Sequence, residues 1–222
     1  RRTARTVEMS REVFLSVAPS EPVVYEGGAT KVMVVDCGAK DQIIRSLLHR
    51  GATVVRVPWH ADLAQHASDV DGILIGNGPG DPQDLQAMSA QVRGLMDRFR
   101  GPIFGVCLGH QILALAAGAK TYKLRYGHRG VNQPVQDVLT RHCYVTSQNH
   151  AYVVADDSLG NAWQPWFVNI NEGTNEGIRS RSRPHFSVQF HPEAAPGPQD
   201  TSFLFDDFLT MATSLRAAQR RN

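Results

Sequence analysis

Apolar and polar stretches alternate along the chain with two different periods. Residues 31–35, KVMVV, form a short apolar β-rich run that ends in the turn DCG. KDQIIRSLLHRG follows, with Ile43, Ile44, Leu47 and Leu48 at helical spacing and Gly51 placed to end the helix. TVVRVPW (53–59) and GILIG (72–76) read as the next strands, and a helical stretch spans 84–99. PIFGV (102–106) is a further strand, and a nearly all-apolar helix begins after Cys107. Strands apolar on both faces, alternating with helices, predict an α/β fold: a mostly parallel central sheet with helices on both faces.

The segment 121–180 has another character. VQDVLT, CYVTSQ, AYVV and WFVNIN are short β-like pieces separated by Gly, Asn and Asp turns, which predicts an antiparallel β extension. HFSVQF (185–190) is the last strand, and DTSFLFDDFLTMATSL (200–215) an amphipathic closing helix with Asp200 as its N-cap. The mixed polar stretch 1–30, with turn signals in VAPSEP and EGGAT, reads as an appendage or linker from a preceding domain. On this reading the domain proper is 31–215, and 216–222 is a basic tail.

Composition removes whole classes of function. A net charge of +2 on 222 residues argues for neither nucleic acid nor membrane as a partner. Three cysteines without a CxxC pair fit neither a disulfide framework nor a zinc site, and suit a reducing, cytoplasmic setting. The nine histidines include no HExxH arrangement, so neither metal nor cofactor is expected. No apolar run is long enough to span a membrane, and the start lacks the apolar segment of a secretory signal. A start without Met reads as a piece of a longer polypeptide.

In open α/β sheets ligands bind beyond the carboxyl ends of the strands. Three of the turns expected there carry chemistry: NGPGDP, CLGHQ and HPE. Cys107 sits between Gly105 and Gly109 where a strand turns into a helix, the pattern of a nucleophile elbow. The helix N-terminus favours a thiolate, and its free N–H groups, Leu108 N–H first, point where an oxyanion would form. A tight turn around an inert buried thiol fits the elbow equally well. Cys37 and Cys143 lack this setting and read as fillers. His191 and Glu193, two apart in a segment that Pro192 biases toward extended backbone, put an imidazole beside a carboxylate. With Cys107 they make a candidate Cys–His–Glu triad. Gly78 and Gly80 flank Pro79 in a loop free of side chains that can bring backbone N–H groups to a carbonyl. This is no phosphate loop, because the Gly-Lys-Ser/Thr ending is absent.

These motifs, in this order, resemble the class I (triad) glutamine amidotransferases. NGPGDP, FGVCLGHQILALAAGAKTYKLRYGHRGVNQP, TSQNH, NEGTNEGI and FSVQFHPEAAPGP carry the resemblance, which runs from Val24 to Leu209. It is nearest to the glutaminase domain of glutamine-dependent carbamoyl-phosphate synthetase, in the multifunctional proteins of pyrimidine synthesis. The resemblance implies a flavodoxin-like fold with Cys107 as nucleophile, His191 as acid and base, and Glu193 as its partner. It implies Gly78 and Leu108 amides for the oxyanion, and Gly80, Gln111, Asn149, Ala151 and Tyr152 for L-glutamine. The implied partner is an ATP- and bicarbonate-consuming synthetase, fused or separate, that takes the ammonia. Glutaminases serving chorismate or GMP chemistry, and a non-catalytic scaffold, are the alternatives. The family usually reads QNHGF where this chain has Gln148-Asn149-His150-Ala151-Tyr152. Ala151 is therefore expected to be strained if its φ is positive, and the Tyr152 hydroxyl needs a partner. The family's N-terminal domain supplies a serine to the glutamine site, and thirty residues precede the core here.

Overall fold

A computed structural model describes residues 11–219. Ten strands form one sheet in the order β1-β3-β2-β4-β5-β10-β9-β8-β6-β7. The parallel centre comprises β2 (Thr30–Asp36), β3 (Ala52–Pro58), β4 (Gly72–Ile75), β5 (Ile103–Val106) and β10 (His185–Val188). Parallel neighbours need a crossover. Helices α2 (Asp41–His49), α3 (Leu63–Ala67) and α4 (Gln86–Arg98) supply the first three, and α5 (Leu108–Ala116) follows β5. The short α3, which the periodicity did not reveal, is what lets β3 and β4 lie on opposite sides of β2; Asp62 caps it, accepting from Ala64 and Gln65 N–H groups.

Alternation along the central strands sorts the core into two layers. Val32, Val34, Leu74, Phe104 and Val106 face α2 and the closing helix α6 (Phe203–Gln219) through Ile43, Leu47, Leu204, Phe205 and Phe208. Met33, Val35, Ile73 and Ile75 face the other way, onto Leu85, Met88, Val92 and Ile112 from α4, α5 and the turn before them. Such strands are covered on both faces, which is why they read as unbroken apolar runs.

The antiparallel extension is built from β6 (Thr121–Asp137), β7 (Cys143–Val154), β8 (Trp163–Asn169) and β9 (Asn175–Ser180), returning to the centre through β10. CYVTSQ and AYVV, read as separate pieces, are one strand, because the hairpin with β6 absorbs the irregularity in two register shifts. Asp200 does not cap α6: its carboxylate accepts the Val145 N–H at 3.2 Å instead.

The stretch read as an appendage is folded onto the domain from Arg11 onward. Strand β1 (Val23–Tyr25) pairs antiparallel with β3, and α1 (Arg11–Val17) buries Phe14 completely, edge-on to Trp59 at 6.1 Å. Helix α6 likewise runs into the stretch expected as a basic tail; residues 1–10 and 220–222 lie outside the described residues. Among the described residues no helix is long and apolar enough to cross a membrane.

Phe208 is fully buried, 5.8 Å from Phe104 ring to ring, and Gly72 leaves it room: a Cβ there would lie 2.9 Å from the ring. Phe208→Ala should therefore cost about 3–5 kcal/mol, read as a lower urea midpoint at unchanged slope. A midpoint equal to the parent's would refute this packing.

Candidate active site

Cys107 joins β5 to α5 with φ 55° and ψ −103°, a conformation forbidding to most side chains. Among the described residues Arg141 is the only other non-glycine with positive φ. Such strain costs on the order of 1–3 kcal/mol and persists only where the surroundings dictate it. Here they do. The Cys107 N–H donates to Val188 C=O of β10 at 2.9 Å, and its C=O accepts His110 and Gln111 N–H at 3.1 and 3.3 Å. Gly105 and Gly109 allow the helix to sit directly on the strands: a Cβ on Gly105 would lie 2.5 Å from the Gly109 oxygen, and one on Gly109 2.0 Å from that of Ile75. The elbow thus aims the Cys107 side chain over the sheet's carboxyl edge at the start of a helix. The Leu108 N–H belongs to the first turn, where no intrahelical acceptor exists.

His191 is brought to this elbow by β10, the parallel neighbour of β5, with its own N–H on Ser147 C=O at 2.9 Å. His191 Nδ1 lies 2.7 Å from Glu193 Oε1, and the ring also hydrogen-bonds the Cys107 sulfur. The three residues are brought together, though not by extended backbone. β10 ends at Val188, and Ala194 N–H closes a turn onto His191 C=O, so the turn sets the carboxylate beside the ring. Burial alone would disfavour the imidazolium; the Cys107 sulfur and the Glu193 carboxylate outweigh it and push His191 up to about 10. Burial likewise works against the Glu193 carboxylate, and His191 with the Lys40 ammonium, 3.6 Å away, reverses it and holds that group below its usual range. Lys40, at the turn after β2, was not anticipated from the sequence.

Cys107 opens into a pocket of about 290 Å³. Gly78, Gly80, Leu108, Gln111, Asn149, Ala151 and Tyr152, all expected at a glutamine site, line it. Gly78 packs so closely behind Leu108 that a Cβ would lie 2.8 Å from the leucine side chain and 2.5 Å from the Cys37 oxygen. Gln111 is locked into the wall, donating to Tyr152 C=O at 2.8 Å and to Gln189 Oε1 at 3.0 Å. Gln189 in turn reaches the Cys107 sulfur at 3.8 Å. Ala151 is not in the left-handed region and carries no strain there. The Tyr152 hydroxyl finds the Asp81 carboxylate; burial first, and then Asp81 and Asp84, push it up to about 12. Cys37 is buried against Met88 and Cys143 is exposed.

Two residues near the pocket escaped the sequence reading because neither belongs to a motif. Arg129 lines it from β6, and the fully buried Gln189 stands two positions before His191. Alternation alone could have flagged Gln189, a polar residue in an apolar strand run. Behind the hairpin, His128, His150 and Glu176 bring ligand-type atoms within 4.8 Å of one another. They are wired by hydrogen bonds: Gln148 Oε1 lies 3.0 Å from His128 Nδ1 and 3.1 Å from His150 Nε2, and Glu176 Oε1 lies 3.2 Å from His128 Nδ1. The Glu176 hydrogen bond is the main reason His128 is pushed up to about 9, whereas burial brings His150 down to about 3 and Glu176 up to about 7. A larger cavity, about 610 Å³ between α3 and α4, carries none of these groups.

The chain matches the family described as Glutamine amidotransferase class-I over residues 33–211. It belongs to that family. The amidotransferase is 50% identical over 188 residues to the carbamoyl phosphate synthase arginine-specific small chain of Aspergillus clavatus, covering 85% of this chain and 41% of that protein. The protein of the same description from Schizosaccharomyces pombe is 47% identical over 198 residues, covering 88% and 48%. The chain thus spans less than half the length of these curated relatives. In fold, the amidotransferase is similar to a putative GMP synthase protein from Thermoplasma acidophilum, at TM-score 0.75 and 23% identity over 86% of this chain and 98% of that one.

The His191–Glu193 pair fixes a pH signature. A raised His191 gives stability that is whole below the ordinary histidine range and lost as pH rises through about 10; a lowered Glu193 gives stability that is lost as pH falls through the carboxylate range. Glu193→Gln should cost about 1.5–3 kcal/mol near neutrality, a difference that shrinks toward both extremes. It should also lower the pH at which the His191 ring signal titrates by NMR. An unmoved His191 titration would overturn the pairing.

Proposed function

We propose that this amidotransferase hydrolyses the side-chain amide of L-glutamine and passes the ammonia to a carbamoyl-phosphate synthetase partner, fused or separate. The observation that carries the reading is the meeting of Cys107, His191 and Glu193 at the mouth of a pocket walled by Gly78, Gly80 and Leu108. The printed description of the 50%-identical relatives supports the choice of synthetase, and with it a place at the start of arginine or pyrimidine synthesis. Free thiols, with Cys143 exposed, suit the cytoplasm. Residues 31–215 are the catalytic domain, strapped by the segment from Arg11.

Catalysis begins when the Cys107 sulfur attacks the amide carbon, and the carbonyl oxygen takes the negative charge beside the Leu108 and Gly78 N–H groups. The C–N bond breaks as His191 delivers its proton to the departing nitrogen, leaving ammonia and a glutamyl thioester on Cys107. Water, losing a proton to His191, then attacks the thioester carbon. The C–S bond breaks, glutamate leaves, and the thiolate–imidazolium pair is restored. Glu193 keeps the imidazole oriented through both steps and stabilises its charged form.

Cys107→Ala should abolish glutamine-derived ammonia release by the chain with its synthetase, while the assembly still uses added ammonia. His191→Asn should lower turnover by about 10²–10⁴. Undiminished glutamine turnover in Cys107→Ala would overturn the assignment, and ammonia-dependent product other than carbamoyl phosphate would overturn the choice of partner.

A further inference from the structure

Resting on that glutaminase reading, we propose that Arg129 is a specificity residue: its guanidinium takes the α-carboxylate of the bound glutamine. The pocket's reactive end is set by Cys107, and an amino acid whose side-chain amide lies there must place its charged head elsewhere along the walls. Among the described residues Arg129 is the only permanently charged side chain lining the pocket. The other cations nearby are already engaged. Lys40 is turned to Glu193, and Lys123 lies over the Tyr152 ring at 5.6 Å.

The hairpin holds Arg129 for this task. Register shifts on either side of His128–Gly130 set off this short stretch of β6, in which His128 is buried and Arg129 is exposed opposite Asn149. Gly127, at φ +71°, leaves space for the guanidinium; a Cβ there would lie 3.0 Å from Arg129 Nη1 and 2.4 Å from the His150 oxygen. One donor is spent on the Tyr126 C=O, a neutral acceptor. Arg129 makes no ion pair with a carboxylate among the described residues, which leaves its other donors for a planar anion. Its charge is also felt by His150, on the neighbouring strand and itself a pocket-lining residue, which it helps to keep neutral.

The test reads binding apart from turnover. L-glutamine and its α-carboxamide derivative, in which the carboxylate is neutralised, are titrated calorimetrically into the Cys107→Ala chain, with and without Arg129→Gln or Arg129→Lys, in complex with the synthetase. Arg129→Gln should weaken glutamine by ten- to a hundredfold, leave the α-carboxamide unchanged, and be partly rescued by Arg129→Lys. Glutamine affinity within twofold of the parent, or an equal loss for both ligands, would overturn the role of Arg129 while the glutaminase reading stands. No glutamine binding by the Cys107→Ala chain would instead overturn the pocket's assignment, on which both rest.

Discussion

The hydrogen bond from Cys107 N–H to Val188 C=O ties an unfavourable backbone turn to a strand from near the other end of the chain. Without it the elbow would relax toward a more ordinary φ, and the sulfur would leave the sheet edge. With it, β10 is locked in register beside β5, and the turn carrying His191 and Glu193 arrives beside the sulfur. One inter-strand contact therefore settles both the direction of the nucleophile and the address of its base. The glycines on either side are the steric condition for it, since side chains at 105 or 109 would run into backbone oxygens.

A second set of contacts stiffens the opposite wall. Gln111, Gln189 and the Tyr152 carbonyl form a buried chain linking α5, the end of β10 and β7. Buried amides of this kind hold position well because leaving any one unpaired costs about 1–3 kcal/mol. Gln111 is thereby a fixed surface against which a ligand is measured. The Tyr152–Asp81 contact extends the same brace to the glycine loop, so that three loops from distant parts of the chain share one frame.

Much of this was legible in the sequence, for identifiable reasons. The central strands announce themselves because both faces are buried, and the chemistry because Cys107, His191, Glu193 and the Gly78–Gly80 loop stand at strand ends. What escaped depends on tertiary context. Helix α3 is too short to show a period, and Phe14 in a polar stretch gives no hint that it will be buried against Trp59. The β6–β7 hairpin looked broken because its bulges interrupt alternation. Asp200 had the residue type of a cap, but a β7 backbone N–H competed for it. The His191–Glu193 pair came out right from the wrong geometry: two residues apart on a strand and two apart in this turn both bring the groups together.

The insertion of β10 between β5 and β9 also imposes an order of events on a growing chain. Synthesis delivers Cys107 long before Val188, so a nascent chain holds its thiol without the carbonyl that braces the elbow or the histidine that uses it. Closing the sheet there requires contacts between segments far apart in sequence, the slow kind in folding. The reactive centre is therefore assembled by the last strand to dock, and a ribosome-bound or truncated chain carries an ordinary cysteine.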